Sequence, residues 1–83
     1  MQYTIEIEKK AIKFISKQPL NQRERILKAI YNLPHSGDIK SMKGFENFYR
    51  LRVGDYRIIY TLDNKILLVR VVEVGNRGDI YKK

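Results

Sequence analysis

The stretch Tyr49-Arg50-Leu51-Arg52-Val53-Gly54-Asp55-Tyr56-Arg57-Ile58-Ile59-Tyr60 decides the fold. Gly54-Asp55 separates two runs rich in aromatic and β-branched residues. Glycine in the first position of a two-residue loop suits a type II′ turn, whose twist matches that of the strands it joins. Register then follows by counting: Val53 faces Tyr56, Arg52 faces Arg57, Leu51 faces Ile58 and Arg50 faces Ile59. Side chains alternate along a strand, so Tyr49, Leu51, Val53, Tyr56, Ile58 and Tyr60 share the face on which helices would pack. Arg50, Arg52 and Arg57 emerge together on the opposite face.

Like charges directly across a strand pair destabilise it. A fold tolerates them where solvent screens them, where carboxylates bridge them or where an anion binds. The nearest acids in the sequence, Glu46 and Asp55, are too few to neutralise three arginines. Guanidinium forks match phosphate oxygens and stay charged at any working pH. The pattern therefore marks a candidate phosphate site, with a merely solvated cationic face as the alternative.

Downstream, Asp63-Asn64 offers a second tight turn into a strand from Ile66 to Val74. Residues 66–72 are apolar on both faces apart from Arg70, so this strand is central and overlain by the tail, or it lines a groove that another polypeptide fills. In simple register Arg70 faces Arg57, but a bulge would displace it, and it is not assigned to the site. Gly75 and Gly78 interrupt the pattern and let the chain turn before a short tail, 79–83.

Upstream, Tyr3, Ile5 and Ile7 alternate with Thr4, Glu6 and Glu8, which reads as a half-buried strand. From Lys9 to Lys17 the period becomes helical: Ala11, Phe14 and Ile15 share one face, Lys9, Lys10, Lys13 and Lys17 surround it, and Pro19 ends the helix. Asn21 with Glu24 has the form of a capping box, and Ile26, Ile30 and Leu33 make the apolar stripe of a second helix closed by Pro34. His35-Ser36-Gly37-Asp38 and Lys43-Gly44 mark 35–47 as a loop. The predicted class is α+β: an antiparallel sheet in the order β-α-α-β-β-β, backed on one face by a two-helix hairpin, in a single domain spanning 1–83.

Composition narrows the function. Seventeen Lys and Arg against nine Asp and Glu give a net charge of +8 on 83 residues, a field that attracts RNA, DNA or anionic membranes. The absence of cysteine excludes disulfides and thiolate metal sites. No apolar run approaches the ~20 residues that span a bilayer. The start, Met1-Gln2-Tyr3-Thr4, lacks the layout of a signal peptide, so a cytoplasmic location without membrane contact is expected. His35 reads as a polar loop residue, and Tyr3, Tyr31, Tyr49, Tyr56 and Tyr60 read as packing.

The segment 49–60, followed by Val74-Gly75-Asn76-Arg77-Gly78-Asp79-Ile80-Tyr81 and preceded by Met42-Lys43-Gly44, resembles the RelE branch of the RelE/ParE toxin superfamily. The resemblance covers essentially the whole chain and agrees with the order of elements. It implies a ribosome-dependent messenger RNA endoribonuclease that uses the substrate's own 2′-hydroxyl, leaves a 2′,3′-cyclic phosphate and requires no metal or other cofactor. It implies partners as well: ribosome and message, and a cognate antitoxin, with the toxin monomeric alone and oligomeric in that complex. Carried over by position, Arg57 and Arg77 would clamp the phosphoryl oxygens, Arg50 and Arg52 occupy positions where some members have lysine, and Tyr81 would stack on a nucleobase.

Two departures stand out. Arginine at positions 50 and 52 is a poor proton acceptor, because a guanidinium holds its proton at any working pH. Asn76 stands where several relatives carry histidine, and Lys40-Ser41-Met42 where others carry a glutamate base. The general base is thus left open. So are two further readings: a ParE-like inhibitor of DNA gyrase, and a degenerate toxin fold that binds without cutting.

Overall fold

A computed structural model of the protein describes residues 2–76. The elements run β1 (Thr4–Ile7), α1 (Lys9–Ser16), α2 (Leu20–Tyr31), β2 (Asp38–Ser41), β3 (Phe48–Val53), β4 (Tyr56–Asp63) and β5 (Leu68–Asn76). They form one five-stranded sheet in the order β1-β5-β4-β3-β2. Neighbours pair antiparallel except β1, which runs parallel to β5. The α+β class with its helix hairpin on one face is as the patterns predict. No helix among the described residues is long and apolar enough to cross a membrane.

The hairpin that anchors the sequence argument forms in the expected register, with Val53 opposite Tyr56, Arg52 opposite Arg57 and Leu51 opposite Ile58. Gly54 has φ +56 and Asp55 a negative φ, the combination a type II′ turn needs. Leu51, Ile58, Tyr60, Val69 and Val71 from the sheet meet Ala11, Ile15, Ile26 and Ile30 from the helices in one core. A polar clasp holds the hairpin onto it: the Tyr56 hydroxyl donates to Gln18 Oε1 at 3.0 Å, and the Gln18 amide donates to the Phe14 carbonyl at 3.1 Å.

Four details differ from the sequence reading. The 35–47 segment is not all loop: Asp38–Ser41 forms edge strand β2 on β3, with only Ile39 turned towards the core, too faint an alternation to stand out. The second helix starts at Leu20 rather than behind an Asn21 cap. The Pro19 carbonyl already accepts from the Gln22 and Arg23 amides at 2.9 Å, so Asn21 lies inside the first turn. The last strand begins at Leu68 because Asp63 Oδ1 accepts from the Lys65 and Ile66 amides at 2.9 and 3.3 Å, drawing out a longer turn. Tyr31, expected to pack, is exposed at the end of α2.

Strand β5 lies second from the sheet edge, between β1 and β4, and Ile66 and Leu67 of the apolar run fall in the turn before it. The proposed cover by the tail falls on residues outside those described. The longer turn over 64–67 sets Arg70 opposite Thr61, and beyond a register shift at Ile59/Tyr60 Gly75 faces Arg57. Arg70 is thus kept from Arg57 by the longer turn and not by the bulge foreseen, and its guanidinium bonds Glu6 Oε1 at 3.1 Å.

Candidate nucleic-acid interface

Paired residues in a sheet point to the same side, so the register converts into rows across the face that the helices leave uncovered. One row runs Asp38, Arg52, Arg57, Gly75. The next, about 7 Å along the strands, runs Lys40, Arg50, Ile59, Glu73. A third runs Phe48, Thr61, Arg70, Glu6. The first two rows place four cations on three adjacent strands. Asp38 stands at the edge beside Arg52, while Glu73 lies 3.9 Å from Lys10 of α1.

The four cations differ in setting. Arg52 and Lys40 are exposed, Arg50 is half-buried and Arg57 is 7% exposed in the middle of the sheet. Neither Arg50 nor Arg52 forms an ion pair among the described residues, and Arg50 Nε is buried without a hydrogen-bond partner there. Gly75 beside Arg57 contributes no side chain to the row. Such an array, held by strand backbone rather than by flexible loops, presents fixed positive charge towards a polyanion.

Of the residues singled out from the sequence, the structure brings Arg50, Arg52 and Arg57 together as the hairpin count requires. Arg77 and Tyr81 lie outside the described residues. Lys40 was missed as a site residue because its segment reads as loop; the signal available was the polar-apolar-polar run Asp38-Ile39-Lys40. Tyr49 and Tyr60 stack at 5.5 Å on the helix side. Burial, and then the charge of Tyr49, push the Tyr60 hydroxyl up to about 12, which makes it a core group and not a proton shuttle. His35 packs edge-on to Tyr3 at 5.9 Å, away from the arginine rows. Among the described residues no cluster of histidine, cysteine or carboxylate side chains could hold a metal ion.

This arrangement of strands and helices is shared with solved structures. The toxin fold in the archaeal RelE-RelB complex from Pyrococcus horikoshii superposes with a TM-score of 0.77 at 26% identity, covering 95% of this chain and 99% of that one. The RelB-RelE antitoxin-toxin complex from Methanococcus jannaschii gives 0.75 at 30% identity, covering 92% and 94%. A small basic toxin is thus the class that the fold and the open cationic face define. In sequence, the putative toxin RelE1 of Methanocaldococcus jannaschii is 28% identical over 99% of this chain and 98% of its own. The family model for the ParE toxin of type II toxin-antitoxin system, parDE, matches residues 6–81. The chain belongs to the RelE/ParE superfamily of toxins of type II toxin–antitoxin systems.

Proposed function

We propose that the protein is a RelE-type toxin that cleaves messenger RNA in the ribosomal A site and is neutralised by an antitoxin. The observation that carries this reading is the placement of Lys40, Arg50, Arg52 and the buried Arg57 on one sheet face, with Asp38 and Glu73 in their rows. The antitoxin follows from the Pyrococcus and Methanococcus relatives, whose structures are complexes with RelB.

In the reaction the 2′-oxygen of the substrate attacks the adjacent phosphorus and loses its proton to a base. The bond from phosphorus to the 5′-oxygen breaks, and that oxygen takes up a proton, leaving a 2′,3′-cyclic phosphate and a 5′-hydroxyl. Negative charge grows on the phosphoryl oxygens as the attack proceeds. Guanidinium groups already in place stabilise that charge without reorganising, the largest contribution such a face can make. Holding the nucleotide for in-line attack supplies a further part of the rate. Arg77 would complete the clamp and Tyr81 would stack on the neighbouring base. The carboxylates within these rows are Asp38 at one edge and Glu73, which lies 3.9 Å from Lys10, so electrostatic stabilisation and positioning carry the proposal.

Inducing the protein in cells and mapping 5′ ends tests it. Cuts inside translated codons are expected, and an Arg57→Ala, Arg77→Ala double mutant should be tolerated by the host. Uniformly intact messages while growth stops would refute it. The match to the ParE model favours one second reading, inhibition of DNA gyrase; a supercoiling assay with purified protein that shows inhibition would support that reading instead.

A further inference from the structure

The phosphate rows end at an aromatic that the proposed chemistry has not used. Between β2 and β3 the chain folds into a tight loop: the Met42 amide donates to the Phe48 carbonyl at 2.9 Å, and the Phe45 amide to the Met42 carbonyl at 3.2 Å. Gly44 at φ +83 and Asn47 at φ +63 supply the left-handed turns this requires. The loop holds Phe45 outwards, 60% exposed, with its ring edge-on to Phe48 at 6.0 Å. A cleft of about 370 Å³ runs beside it, lined by Lys40, Ser41, Met42, Lys43, Phe45 and Arg50. Two of those residues, Lys40 and Arg50, form the second row of the cationic face.

We infer that Phe45 and the cleft beside it form a nucleobase subsite, in which an RNA base stacks on the phenyl ring while Lys40, Lys43 and Arg50 hold its phosphate. The inference rests on the proposed RNA-directed function and names a substrate contact for it. An exposed phenyl ring costs a soluble protein hydration free energy, and one held by a structured turn has a fixed orientation. Every nucleobase offers a flat face that suits it, whatever its sequence. The cleft lining contains three cations and no carboxylate. An apolar protein anchor seated there would strip water from those cations without replacing it, whereas a nucleotide brings ring and phosphate together. The Lys40–Arg50 end of the cleft lies one two-residue strand repeat, about 7 Å, from the Arg52–Arg57 row. It is therefore placed for a nucleotide adjoining the scissile one.

The chain contains no tryptophan, so Phe45→Trp introduces a single indole at the proposed stack. Titration with a short 2′-O-methyl oligoribonucleotide, which cannot be cut, should quench its emission saturably. An abasic backbone of the same length should bind with little quenching. By anisotropy of the labelled oligonucleotides, Phe45→Ala should weaken the base-bearing strand about five-fold or more and leave the abasic one unchanged. Circular dichroism of both variants should match that of the parent protein, because the side chain is mostly exposed. Equal quenching by both strands, or strong binding without quenching, overturns the subsite while leaving the phosphate face intact. Failure of both strands to bind overturns the subsite and the phosphate-holding face together. Weaker binding of an antitoxin peptide to Phe45→Ala, with both oligonucleotide affinities unchanged, would reassign the surface to protein and overturn the inference.

Discussion

Replacing Gly37 by alanine should cost far more than the same change at Gly44, and the reason is local. Gly37 has φ +123, a backbone conformation that L side chains rarely adopt, and a Cβ built there would stand 2.6 Å from Leu51 Cδ1. Leu51 is 1% exposed within the core, so its methyl has nowhere to retreat without moving neighbours. Backbone strain contributes about 1–3 kcal/mol and overpacking a further 1–3, for a total of about 2–6 kcal/mol. Gly44 has φ +83 but nothing within 4 Å of a built Cβ, so Gly44→Ala bears the strain alone, about 1–3 kcal/mol. A domain of 83 residues has roughly 4–12 kcal/mol in all, so the first change takes up to half or more of the total and the second a minor share. Urea unfolding of both variants gives the difference directly, provided the slopes agree. Because Gly37 immediately precedes β2, the amide resonances of Ile39 and Lys40 should shift in the first variant only. Equal destabilisation by the two substitutions would refute the packing argument and leave backbone conformation as the whole effect.

Tyr60 predicts an alkaline limb in the stability curve. Its hydroxyl is raised from 10.0 to about 12, so the folded state keeps the proton longer than the unfolded chain. That contribution is complete below pH 10 and is lost as pH rises from about 10 to about 12, amounting to about 2–3 kcal/mol. Tyr60→Phe should flatten the fall of unfolding free energy over this window, and an unchanged slope would show that other groups cause it. On the open face, Arg52→Ala should weaken oligoribonucleotide binding and make the plot of log affinity against log salt shallower by about 0.7, one phosphate contact on a single strand. A fall in affinity with no change in that slope would place Arg52 off the phosphate path.

The hairpin at Gly54-Asp55 was legible because its loop is two residues long and its flanks alternate without interruption, which leaves a single register. From that register alone Arg50, Arg52 and Arg57 fall on one face. What stayed hidden lies at the ends and edges of elements. Lys40 belongs to a four-residue edge strand that carries one inward apolar residue, Ile39, and periodicity cannot be read from one position. The later start of β5 follows from the Asp63 carboxylate capturing two amides, a competition between side chain and ladder that a hydrophobic pattern does not register. Sheet order was open as well. The parallel seat of β1 against β5 depends on helices α1 and α2 crossing from one edge of the sheet, which local sequence does not encode.

The two halves of the charge problem resolve in different places. Arg70 starts from a cationic pattern similar to that of Arg57, yet the longer turn before β5 sets it two rows away beside Glu6, where an exposed pair at 3.1 Å neutralises it. Lys10 and Glu73 approach each other at 3.9 Å near the start of α1. Among the described residues the carboxylates paired with Arg70 and Lys10 thus lie at the β1–β5 side of the sheet, while Lys40, Arg50 and Arg52 share the β2–β3 side with Asp38. Distributing the same residues evenly would lower the electrostatic self-energy of the folded chain. A sheet that instead sets Arg52 directly opposite Arg57 and leaves Arg50 Nε without a hydrogen-bond partner among the described residues retains a cost that a bound polyanion would relieve.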